Sequence, residues 1–340
     1  MPADHLIPDT DPGRPAAQAV ERAVLAVLAG TPADQAAIAA KMRLDDLIDA
    51  VRSYRAAGLE ALTAQADSRD WHQVHIEFAD RDSAEAALVR LGPLLRRAKA
   101  NRILTAWWFT RKSPWWRFRL RTGPAAGTDP EAWLGRVLDH LASRDLIVSR
   151  RMGVIYEPEA LAFGGPEAMP AAHRLFHEDS RGILDFLERH KATVPSDRMI
   201  GRREMSVMLC SALLRAAGQE WNEQADIWHR VEALRPLPPG APMDRLRAMA
   251  PGMRHLMTVD VGPSSRLLAA DGPLAFAANW TNAFDVAGRS LQTLAYEGAL
   301  DRGIRDVLAL HIIFSWNRIG LPSSTQSVLA RAAREVVITS

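Results

Sequence analysis

A chain of 340 residues is long enough to bury a sizeable core as one large domain or two unequal ones. Its 42 basic and 40 acidic residues nearly cancel, no run approaches the roughly 18 to 20 apolar residues of a membrane span, and the opening MPADHLIPDTDPGRPAAQ lacks the order of a secretory signal, so a cytoplasmic location is expected. Cys210 is the single cysteine, which excludes an intrachain disulfide and a multi-cysteine zinc site, and its apolar surroundings MSVMLCSALL read as core.

After a polar, proline-rich start, residues 18–65 read as three short alanine-rich helices punctuated at Thr31-Pro32 and Gly58. Residues 1–68 are therefore expected to form a small helical N-terminal appendage. A helix-turn-helix would fit the layout, but Lys41 to Arg52 carry as many acids as bases, which favours docking or dimerisation over DNA. At Trp71 the pattern turns to strand (WHQVHIEF), then to a helix over Asp80–Leu95 with Ala84, Ala87, Leu88 and Leu91 inward. A hairpin follows, Trp107–Arg111 and Trp116–Arg121 joined through Lys112-Ser113-Pro114, then a helix over Asp129–Ser143 and a strand over Leu146–Tyr156. This β-α-β-β-α-β order predicts an α+β fold with a ferredoxin-like, mixed antiparallel sheet core. Beyond Gly165 the chain reads as helical: Pro170–Arg189, Arg202–Ala217, Trp221–Leu234, Gly303–Arg318 and Gln326–Val337. Ser323 and Gln326 match a capping box, and prolines and glycines between Pro236 and Pro251 predict a long surface loop.

The hairpin is the most informative stretch. Ala106 to Arg121 reads AWWFTRKSPWWRFRLR, four tryptophans and five basic residues with no acid. Alternation puts Trp116, Phe118 and Leu120 on one face and Arg117, Arg119 and Arg121 on the other, about 7 Å apart at two residues of strand rise. No acidic residue lies between Glu85 and Asp129, so the block is a local positive field implying an anionic partner or an anion-like reacting group; an edge hairpin with solvated arginines is the plainer alternative. His173 and His177 have i, i+4 spacing without a third metal ligand in view, and no glycine-rich nucleotide motif occurs, so neither metal nor cofactor is expected.

Five blocks in order, WWFTRKSPWWRFRLR, YEPEALAFGG, HRLFHEDS, LLRAAGQEW and HIIFSWNRIGL, make residues from Trp71 to Val337 similar to the thiopeptide-type bacteriocin biosynthesis domain. That domain is the stand-alone form of the C-terminal, elimination domain of lantibiotic dehydratases, and residues 69–340 would form it. The resemblance implies an enzyme acting on a leader-bearing, ribosomally made peptide. One branch removes glutamate from glutamylated Ser or Thr; the other, the pyridine synthases, joins two dehydroalanines by a formal [4+2] aza-cycloaddition and expels water and leader. It further implies a precursor peptide as partner, a separate glutamylating dehydratase for the elimination route, and a homodimer; nucleic acid and membrane are not expected partners.

The family's R-x-R maps onto Arg119 and Arg121, whose forked donors suit a departing carboxylate or a charged iminol oxygen. Three positions depart from the pattern: Arg117 stands where His is frequent, Ala162 where Arg is frequent, and Ile313 or Ser315 where elimination enzymes place a proton-transferring histidine before Asn317-Arg318. His311, Ser315 and Arg318 share a helical face, and His311 either takes over that role or is a core histidine. Losing the base favours cycloaddition, a reaction that orientation alone assists by about 7 to 11 kcal/mol. Arg119, Arg121, Ser315, His311, Tyr296 and Tyr156 are thus the candidate catalytic residues. Arg111, Arg117, Trp108, Trp116, Asn317, Arg318, Glu159 and Asp179 are candidates for holding substrate or leader. Glutamate elimination with His311 as base, and a non-catalytic peptide-binding subunit, are the alternatives.

Overall fold

The computed structural model describes residues 17–124, 129–192, 199–240 and 243–339; the proline-rich N-terminal start lies outside them. Contacts divide the chain into two units, residues 1–67 and 68–340. In the first, α1 (Ala17–Leu28), α2 (Ala33–Ala39) and α3 (Leu44–Arg69) pack around Val24, Ala36, Ala37 and Leu47. The third helix is 26 residues long, not short, because Gly58 interrupts nothing: its Cβ position is open and its φ is not positive.

The second unit opens with β1 (Trp71–Glu77), α4 (Arg81–Ala100), β2 (Leu104–Thr110), β3 (Trp115–Thr122), α5 (Pro130–Ala142) and β4 (Ser149–Val154). The sheet order β2-β3-β1-β4, antiparallel throughout, is the ferredoxin-like arrangement that the element order implied. Helix α4 starts where the Asp80 carboxylate accepts from the Ser83 backbone N–H at 2.7 Å, and it runs past Pro93 to Ala100. Cross-strand pairing of Val74 with Phe118, Leu120 with Trp107 and Phe118 with Phe109 builds one apolar face, whose core the stripes of α4 and α5 complete. Trp116 belongs to this face, stacked on Phe109 with ring centroids 5.7 Å apart.

The helical half comprises α6 (Met169–Ala192), α7 (Arg202–Ala216), α8 (Trp221–Leu234), α9 (Met243–Ala248), α10 (Ala250–Thr258), α11 (Ala278–Tyr296), α12 (Ile304–Ile319) and α13 (Ser323–Ile338). Helix α9 and the start of α10 occupy the second part of Pro236–Pro251, where a long surface loop is expected: Leu246, Met253 and Met257 are buried, so the two helices have apolar side chains to anchor them despite the prolines. The expected capping box on α13 does not form. Pro322 occupies the N-cap, and the Gln326 amide instead donates to Asn317 Oδ1 at 2.9 Å and the Leu321 carbonyl at 2.8 Å.

Helix α12 is buried on nearly all sides, as a helix at the centre of a bundle must be. Two polar devices fix it. At its C-terminus, where Gly320 turns with φ +86°, Arg111, Arg202 and Arg81 donate to the carbonyls of Arg318, Ile319 and Gly320 at 2.7, 3.1 and 3.1 Å. All three guanidiniums are gathered by Glu85 of α4. Burial alone would raise the Glu85 carboxyl, but the Arg202 hydrogen bonds and the Arg111 and Arg202 charges outweigh it and hold it at about 2. In the same last turn, Arg318 Nε donates to Asp179 Oδ2 of α6 at 2.7 Å, with both side chains fully buried. The indole of Trp280 on α11 donates to the other carboxylate oxygen at 2.8 Å. Gly182 makes that reach possible, since a Cβ there would stand 2.2 Å from the Trp280 ring.

Two predictions test these devices. Because the folded Glu85 value lies below its ordinary 4.5, its stabilisation is complete above that pH and drains away as pH falls toward about 2. Urea unfolding of Glu85→Gln should therefore show about 2 to 3 kcal/mol less stability than wild type at pH 7, with the gap closing between pH 4.5 and 2; a pH-independent gap would refute it. Asp179→Ala should cost about 3 to 5 kcal/mol by leaving Arg318 charged and unpaired, and the double variant Asp179→Leu/Arg318→Met should cost much less than the two singles combined.

Candidate active site

The second face of the sheet carries Arg117, Arg119 and Arg121, and the register sets Arg119 between Gln73 on β1 and Trp108 on β2. This face is roofed at one end by the segment Tyr156–Phe163, by α6 and by α12. Under that roof Arg119 is only 4 % exposed. Its guanidinium lies 4.1 Å from the Trp108 ring centroid and 4.9 Å from that of Tyr156. Its closest polar partner is the Thr110 hydroxyl at 3.4 Å, and its Nε has none. Among the described residues no carboxylate lies within ion-pair distance of it. Burial lowers its pKa to about 10, Tyr156 and Glu159 opposing that shift and Arg117 and Arg318 adding to it, so it stays cationic at neutral pH. Cation–π contact offsets about 2 kcal/mol, less than the several kcal/mol that burying an ion costs. Arg119 is therefore a desolvated cation short of an anion.

It opens on a narrow, partly open cavity of about 10 Å³, room for one water molecule, walled by Trp108, Tyr156, Phe163, Phe176, Phe314 and the exposed Glu159. The Tyr156 hydroxyl is 2.8 Å from His173 Nε2. Burial and the charges of Arg121 and Arg119 push His173 down to about 4, so it is neutral, while burial raises the Tyr156 phenol.

Several sequence candidates thus converge here: Arg119, Tyr156, Trp108 and Glu159 line the cavity itself. Arg121 lies on the same face but reaches outward, 3.6 Å from Asp70. Arg117 is half-buried on the uncovered part of the face, opposite His75. Behind the cavity wall lie His311, Ser315, Arg318 and Asp179. His311 is wedged between Phe163 and Phe176, centroids 4.9 and 5.8 Å away, with neither ring nitrogen hydrogen-bonded. Burial, then Arg318, drives it to about 3, which makes it a sealed neutral imidazole. Ser315 supports Asp179, whose carboxyl burial raises against the pull of Arg318.

Four candidates are not brought to the cavity. Arg111 lies over Trp116 on the opposite face, where it is spent on Glu85 and the end of α12. Trp116 is core, Asn317 holds Gln326, and Tyr296 is 92 % exposed at the end of α11. Sequence reasoning missed His173 as the partner of Tyr156, and Phe163, Phe176 and Phe314 as walls. The histidine spacing drew attention to His173 with His177, but His177 turns to the Trp107 backbone and Lys99.

The chain matches the family model "Lantibiotic biosynthesis dehydratase C-term" over residues 71–337. A search of curated proteins returns no match. Among solved structures it is similar to the tRNA-dependent lantibiotic dehydratase MibB from Microbispora sp. 107891, at TM-score 0.56 and 19% identity, covering 79% of this chain and 28% of that one. It thus spans little more than a quarter of MibB. TsrL aligns with TM-score 0.52 and 16% identity over 78% of this chain and 95% of its own. The pyridine synthase TbtD from thiomuracin biosynthesis aligns with TM-score 0.50 and 14% identity over 79% and 98%. At such identities the likeness speaks for a shared fold. With the family model spanning almost the whole of the second unit, from the first strand of the sheet to the last helix, the chain belongs to the lantibiotic biosynthesis dehydratase C-terminal family.

Proposed function

We propose that the protein closes the pyridine-type ring of a thiopeptide by joining two dehydroalanines of a leader-bearing precursor. The carrying observation is Arg119, a buried guanidinium with no carboxylate, stacked on Trp108 and facing the cavity. In the formal [4+2] route the amide of one dehydroalanine passes to its iminol tautomer, and its oxygen carries the developing negative charge. A pre-desolvated guanidinium stabilises that oxygen without reorganising, an effect worth about 3 to 4 kcal/mol when one such donor is removed from other enzymes. The new ring then loses its hydroxyl as water: a ring proton leaves, its bonding pair becomes a ring double bond, and the C–O pair departs with the oxygen as that oxygen takes up a proton. Loss of the leader as its amide by the same balance completes the aromatic ring.

Support also comes from the final block. Ile313 and Ser315 offer no base, and His311, the nearest histidine in sequence, is sealed behind Phe163 and Phe176. Elimination of glutamate needs a base at the α-carbon, and His311 does not reach one. A peptide does not fit a cavity of this size, so in this reading substrate reaches Arg119 once the Tyr156–Phe163 segment is displaced; Ile155 just before it and Leu161 within it are 82 % and 67 % exposed.

Mass spectrometry with two leader-bearing peptides tests the reading, one with paired dehydroalanines and one with glutamylated serine. Release of leader and water from the first is the expected result; loss of glutamate from the second would move the assignment to elimination, and no change in either would leave a binding subunit. Arg119→Lys should lower turnover of the first peptide by about 10²- to 10³-fold with stability nearly unchanged. Tyr296→Phe, at an exposed position, should leave turnover unaltered.

A further inference from the structure

We infer that Tyr156 and His173 form a proton relay that carries protons out of the Arg119 cavity, with His173 as its outer station. The inference rests on the reading of that cavity as the reaction site. The Tyr156 ring lines the cavity beside Arg119, and its hydroxyl stands 2.8 Å from His173 Nε2. Tyr156 is 6 % exposed, whereas His173 is only half-buried, so the pair runs from the cavity wall toward the surface. Trp71 fixes the far end, its ring centroid 4.8 Å from that of His173 and 5.9 Å from that of Tyr156.

The direction follows from burial and charge. Burial, then the charges of Arg121 and Arg119, disfavour an imidazolium at His173, which is therefore neutral at rest. With Nε2 accepting, the Tyr156 proton points to His173 and the phenol lone pairs face the cavity. The phenol oxygen then takes a proton from the substrate, either the amide N–H on the way to the iminol or the ring hydrogen lost in dehydration. As that bond forms, the Tyr156 O–H proton passes to His173 Nε2, and the imidazolium sheds its Nδ1 proton to water. No oxidant or co-reactant is needed, and the reverse passage returns a proton to the departing hydroxyl. The relay supplies the proton transfer that Ile313, Ser315 and His311 do not.

The test uses the full chain and the paired-dehydroalanine peptide. His173→Gln retains a hydrogen-bond partner for Tyr156 but no transferable proton site, and His173→Ala leaves a half-open space for a small base. Expected are a drop in kcat of about 10²-fold in both variants with KM within about twofold, and recovery of at least about tenfold when imidazole is added to His173→Ala but not to His173→Gln. Full activity in His173→Gln, or a loss in His173→Ala that imidazole does not relieve while the thermal midpoint is unchanged, overturns the relay alone. A wild-type protein that converts neither the dehydroalanine nor the glutamylated peptide overturns the site reading and the relay with it.

Discussion

The ion pair between Asp179 and Arg318 governs the geometry of everything around it. Both side chains are fully buried, and each ion would cost several kcal/mol to desolvate alone. Their 2.7 Å hydrogen bond, with the Trp280 indole on the second carboxylate oxygen, offsets that cost only if three helices hold their positions. Helix α6 brings Asp179, α11 brings Trp280 and α12 brings Arg318. The Arg318 guanidinium also rests 4.5 Å from the Phe176 ring, whose centroid is 4.8 Å from that of Trp108, on which Arg119 lies in turn. A chain of cation, ring, ring and cation thus ties the structural pair to the cavity, and a shift of α12 would be felt at Arg119.

Three buried or half-buried arginines make the functional logic visible by contrast. Arg111 has Glu85 and a helix-end carbonyl, and Arg318 has Asp179. Arg119 has rings and a distant hydroxyl. Arg111 and Arg318 each keep a carboxylate partner although some of their buried nitrogens lack hydrogen bonds, whereas Glu159 is on the cavity wall without pairing with Arg119. In the proposed function, an incoming oxyanion supplies the charge that Arg119 lacks. The same environment keeps His173 neutral and the Tyr156 phenol protonated, so the cavity holds a fixed positive charge beside a group able to receive a proton.

Much of the fold was legible because it follows from periodicity. Alternation in Trp116–Arg121 set the hairpin faces, and the order of strands and helices fixed a ferredoxin-like sheet once right-handed crossovers are assumed. Arg119 and Tyr156 could be singled out from the R-x-R and the YEPEALAFGG block. The stretch Pro236–Pro251 was harder: proline and glycine argued for a loop, yet α9 and the start of α10 lie in it, anchored by buried Leu246, Met253 and Met257. Local propensity gave way to packing.

The sequence by itself determined the order of strands and helices in the sheet half, the basic strand and the membership in a peptide-maturation family, since each is written in spacing and composition along the chain. Only the tertiary structure decided which arginine would lack a partner, that His311 is sealed between Phe163 and Phe176, that Tyr296 faces solvent, and that His173 meets Tyr156. Those outcomes depend on burial and on distances between side chains remote in sequence. The charge and hydrogen-bonding state of a titratable group is set by what surrounds it in space, and no local pattern of residues records that.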